Sequence, residues 1–145
     1  MFGSMLGPGA NPARTGVALD VVRIAVAALI FIHGAFRATN EGYVPGFGAW
    51  LETQGFPQGL YWAWAVTVYE LVAPLFILAR RFVSLACLGH IGILALGAWL
   101  VHWPNGWFVV GGGRNGMEYS VLLIVCLAVV AWAHWPGRKV AGAVS

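Results

Sequence analysis

Glu70 sits in the middle of a long apolar run, and His33, Arg37, His102 and Glu118 sit near the ends of others. Acids and imidazoles can take up and release protons, and a guanidinium can hold an anion or a carboxylate. Ionisable groups at membrane depth are costly and by default mark function. Pro74 adds to the case for Glu70. Proline has no N–H, so the carbonyl four residues earlier loses its helical partner and a kink is expected there. In low dielectric the Glu70 carboxyl needs either a cation or a proton. A protonated Glu70 bonded to a histidine would satisfy it, and so would a Glu70–His33 proton relay toward the outer face.

The other polar groups have plainer readings. Asp20 and Arg23, three residues apart, are spaced to pair on one helix. His90 suits a hydrogen bond between helices, and His134, beside Trp135, suits a membrane boundary. Glu118 suits a helix N-terminus as well as chemistry. His33, His102 and Glu118 are acceptable metal ligands by type, but no local spacing such as HExxH joins them, so no metal is assigned. A haem between two histidines stays open on the same terms. Cys87 and Cys126 read as small packing residues.

The elements that must position these groups follow from composition. Of the 145 residues, 60% are hydrophobic and 9% charged. A soluble domain carries about 25% charge, and a short chain cannot hide so much apolar surface from water. This excludes an ordinary soluble domain, a disordered chain and a nucleic-acid-binding module. Four stretches, at about 17–38, 60–79, 82–103 and 117–135, approach the ~20 residues that cross a bilayer. The expected architecture is all-α: a four-transmembrane-helix bundle over 17–139, a flexible tail over 1–16 and a short tail over 140–145. No small-x-small cleavage site follows the first stretch, so it is expected to stay as a span rather than leave as a leader. Within the first outer loop, Pro45 is expected to start a short interfacial helix with Phe47, Trp50 and Leu51 on one side and Glu52 on the other, closed by Gly55 and Pro57.

Arg14, Arg80, Arg81, Arg138 and Lys139 fall on one side of the spans, and Arg37 and Arg114 on the other. The positive-inside rule then places both termini in the cytoplasm. Counting helical rise from the inner boundary puts His33 at roughly 24 Å, Glu118 at roughly 25 Å, His102 at roughly 28–30 Å and Glu70 at roughly 13 Å. His33, His102 and Glu118 therefore share an outer layer, with Arg37 one turn above His33 and Glu70 near the midplane.

Arg23, His33-Gly34, Glu70, the run HWPNGWF at 102–108 and GMEY at 116–119 together resemble the DoxX family over about residues 17–139. The chain departs from that pattern at Arg37, where a lysine is expected. The resemblance implies a four-helix protein of a bacterial inner membrane with a redox connection, in which relatives include the membrane subunit of a thiosulfate:quinone oxidoreductase. On that basis the chain is expected to be a membrane subunit of a quinone-linked complex, with quinone as its ligand and other protein subunits as partners. Glu70, His33 and Glu118 would exchange protons, and His102, Trp103, Tyr119 and Arg37 would line or guard the pocket. Two alternatives stand beside it: a non-catalytic anchor in a larger membrane complex, and a binder of a small apolar molecule.

Overall fold

The computed structural model describes residues 11–111 and 114–136. All regular structure among the described residues is helical, and it falls into two compact units, 1–79 and 80–145.

In the first unit, α1 (Pro12–Thr39) and α3 (Gly59–Leu78) pack against each other, and α2 (Tyr43–Thr53) packs across α3. α1 starts where its cap is. The Asn11 side chain accepts from the amides of Ala13 at 3.0 Å and Arg14 at 3.4 Å, and Pro12 occupies the first turn, where its missing N–H costs nothing. The tail expected over 1–16 is thus corrected at its end: 12–16 are helical, while 1–10 lie outside the described residues.

The helix expected in the first loop is present and begins two residues before Pro45. Gly42 enters it at φ 82° and Gly55 leaves it at φ 88°, conformations open to glycine at little cost. The apolar face expected to lie in the interface is turned to α3 instead. Val44 and Leu51 close a small core with Ala63, and Phe47, Trp50 and Phe56 pack around it. Gly48 allows this approach. A Cβ there would lie 2.7 Å from the Leu60 Cα, so only a glycine lets the two backbones meet.

α3 has no cap from its own entry residue, Gln58, which is itself left-handed at φ 59°. Glu52 supplies one: its Oε1 accepts from the Gly59 amide at 3.1 Å, putting a carboxylate on the positive end of α3. At the other end Arg23 does the converse. It is buried at 4% exposure, donates to the carbonyls of Ile77 at 2.6 Å and Leu78 at 3.1 Å, and pairs with Asp20 at 3.2 Å. A cation on those orphan carbonyls closes the C-terminus of α3. The expected Asp20–Arg23 pair is present, and the capping function comes with it.

In the second unit, α4 (Val83–Gly97) packs on α5 (Glu118–Ala133). The Ser84 hydroxyl donates to the Ala131 carbonyl at 2.9 Å across the pair. α4 runs on through a π-helical turn, Ala98–His102, and a 3₁₀ turn, Trp103–Asn105, so the continuous helical segment is 23 residues long. Among the described residues, three helical segments are therefore long and apolar enough to cross a membrane. α5 has 16 residues, about 24 Å of rise, and is apolar but shorter than the span expected at 117–135.

Candidate functional site

Arg37 is the centre of the candidate site. Its Nη1 donates to Glu70 Oε2 at 2.9 Å and to Thr67 Oγ1 at 3.4 Å, and its Nη2 meets His33 Nε2 at 2.8 Å. The guanidinium carbon stands 4.6 Å from the centre of the Phe47 ring on α2. Each element contributes through its spacing. His33 and Arg37 are four residues apart and share one face of α1. Thr67 and Glu70, three apart, share one face of α3. Thr67 gives its own proton to the Ala63 carbonyl at 2.7 Å, which leaves its oxygen to accept from Arg37.

Gly34 brings the two helices together here. A Cβ on it would stand 2.8 Å from Glu70 Cβ and 3.3 Å from the Glu70 carbonyl carbon. Gly34 and Glu70 are therefore at one height, which overturns the expected separation of roughly 11 Å between His33 and Glu70. The reason is the unequal length of the helices. α1 has 28 residues and α3 has 20, and the end of α3 meets α1 at Arg23, not near 17. Counting both spans from a common plane placed Glu70 too deep relative to α1. Glu70 still lies near the middle of α3, eleven residues from Gly59 and eight from Leu78.

The correction changes the chemistry. The cation that Glu70 requires is Arg37, with side-chain exposures of 9% and 13% for the acid and the base. Arg37, expected to line or guard a pocket, is thus also a partner inside the helix pair. His33 and Glu70 do not bond each other directly. Each bonds Arg37. A guanidinium has donors only, so His33 Nε2 accepts and the ring proton resides on Nδ1. Among the described residues that Nδ1–H has no hydrogen-bond partner, and His33 is exposed.

The remaining expected residues lie in the second unit. His102 Nδ1 donates to the Asn115 carbonyl at 2.7 Å. Trp103 stacks on Trp99, with ring centres 5.6 Å apart, and Tyr119 is 48% exposed. Glu118 opens α5, and its Oε1 accepts from the Val109 amide at 3.0 Å. Backbone bonds from Gly116 to Phe108, from Met117 to Gly106 and from Glu118 to Trp107 run beside it. Glu118 therefore holds the 106–110 segment against the start of α5. Among the described residues no three of His, Cys, Asp and Glu are placed to share a metal ion.

Sequence reasoning missed Thr67, and it named Phe47 and Glu52 only as faces of the loop helix and Gly34 only as part of the family pattern, without their roles here. Gly34 carried the clearest signal, a small residue one position from a histidine on an apolar helix, which marks close helix contact.

The DoxX family model matches residues 18–103, more than half of the chain. The match takes in Arg23, His33-Gly34, Arg37 and Glu70 and ends just after His102. No curated protein matches, and no solved structure matches.

Proposed function

Because the chain belongs to the DoxX family and carries long apolar helices that make it a membrane-integral protein, we propose that it is the membrane subunit of a quinone-linked redox complex in a bacterial inner membrane. The observation that carries this reading is the exposed Nδ1–H of His33, backed by the Arg37–Glu70 pair. A quinone presents carbonyl acceptors on an apolar ring, and this donor fits one of them. A bound quinone takes up two electrons and two protons to become the quinol. The electrons come from oxidation of a small reductant, of the thiosulfate type, by a partner subunit. His33 orients the ring through Nδ1, and Arg37 fixes His33 in that tautomer through Nε2. Glu70 is ionised against Arg37, and its Oε1, the oxygen that Arg37 does not contact, receives a proton in transit to the ring. Both termini face the cytoplasm, since Arg14 precedes the apolar part of α1 and Arg80 and Arg81 follow α3 at the same end of that helix pair.

The mutual neutralisation of Arg37 and Glu70 favours a second reading. In it the pair is structural and the protein is a non-catalytic accessory subunit.

Native mass spectrometry of the protein, gently extracted from its own membranes, separates the two. The redox reading expects a bound mass matching a quinone, lost in His33→Leu while the helical content is kept. A stable assembly with other subunits and no small ligand in the wild type would overturn it in favour of the accessory reading.

A further inference from the structure

At the start of α4 and the end of α5 the second unit carries an open groove of about 450 Å³. This is within the ~300–1,000 Å³ of small-molecule sites. Its lining is mixed. Arg80, His134 and Trp135 line it together with the apolar side chains of Phe82, Leu85 and Leu88. No acid lines it. Its floor is fixed, because buried Ser84 is bonded to the Ala131 carbonyl across the helix pair. The groove opens at the ends of two apolar helices, where Trp132 and Trp135, 80% and 59% exposed, mark headgroup depth. Arg81 adds a second positive charge beside Arg80.

We propose that this groove is a binding site for one anionic phospholipid. The lipid phosphate sits at Arg80, the rest of the headgroup lies against His134, and an acyl chain lies along Phe82, Leu85 and Leu88. Charge complementarity selects the headgroup, since basic pockets between membrane helices hold anionic lipids. The apolar wall selects a lipid over a free anion. His134 Nδ1 donates to the Val130 carbonyl at 2.9 Å, which fixes the ring and leaves Nε2 to accept from a headgroup hydroxyl, such as that of a glycerol headgroup. The site is independent of the quinone reading, since it uses none of His33, Arg37 or Glu70.

The test is lipid retention by the intact protein in native mass spectra, with phosphatidylglycerol and phosphatidylcholine offered at equal concentration. The wild type should retain phosphatidylglycerol about fivefold over phosphatidylcholine, the preference expected of one basic group at an anionic surface. Arg80 is left-handed at φ 56°, so Arg80→Asn removes the charge without backbone strain. That variant should lose the preference, and Arg80→Lys should keep it. Leu88→Trp, which fills the groove, should lose retention of both lipids with helical content unchanged. Equal retention of the two lipids by the wild type would overturn the proposal, as would a preference that survives Arg80→Asn. So would displacement of phosphatidylglycerol by millimolar inorganic phosphate, which would mean a site for the ion alone.

Discussion

The Arg37–Glu70 pair allows a quantitative test through a double-mutant cycle. Glu70 is buried and Arg37 part-buried, at 9% and 13% side-chain exposure, so the small coupling of a fully exposed pair, about 0.2–1 kcal/mol, understates this one. Arg37→Met leaves the Glu70 carboxylate without its cation, and breaking a buried pair from one side costs about 3–5 kcal/mol. Glu70→Gln is milder. Arg37 keeps Thr67 and His33 as acceptors and stands two residues from the end of α1, where its long side chain can reach toward water. We expect about 1–3 kcal/mol for it, the usual cost of a charged group losing one strong bond. The double variant removes both charges together, so its loss should fall short of the sum by about 2–3 kcal/mol. Arg37→Lys should recover part of the loss, because an ammonium restores the charge but not the planar fork that reaches Glu70 and His33 at once. The assay is unfolding in mixed micelles by titration with sodium dodecyl sulfate, read by helical circular dichroism. A coupling below about 0.5 kcal/mol, the scatter of non-interacting sites, would show that the pair does not hold α1 to α3.

Three further outcomes are expected. Gly34→Ala should cost about 1–3 kcal/mol by overpacking against Glu70 Cβ, whereas Gly92→Ala, whose new methyl meets nothing within 4 Å, should be neutral or stabilising in the same titration. Glu52→Ala should remove the cap of α3 and cost about 0.5–2 kcal/mol, with amide exchange fastest at Gly59. Glu118→Ala should release the 106–110 segment, seen as lost hydrogen-exchange protection at Val109, while α5 stays helical.

Much of the fold was legible because apolar length is a one-dimensional signal. The spans, the short helix after Pro45 and the Asp20–Arg23 pair all depend on residues close in sequence. The site was less legible because its key bond joins residues 33 positions apart. Finding Arg37 as the partner of Glu70 required the relative height of α1 and α3, and that height is set by how far α1 extends past the end of α3. Nothing in the apolar pattern encodes this overhang. Asn11 does, since it places the cap six residues before the apolar stretch begins at 17. The partner of Glu118 was hidden for a different reason. It is a loop amide, and backbone donors leave no trace in residue types.

The separation of 33 residues between Arg37 and Glu70 also bears on how the protein is made. α1 leaves the ribosome first, carrying Arg37 near its end, and its counter-charge does not yet exist. At ~5–20 residues per second the carboxylate follows about 2–7 s later. During that interval an arginine held at the centre of the bilayer would cost about 2.5–3.5 kcal/mol. Its place near the end of α1 spares the chain that cost, because the guanidinium can wait at the headgroups. α2 and α3 then fold back, and Glu70 draws the cation inward. The order of synthesis thus makes the arrival of α3 the event that locks the end of α1 in place.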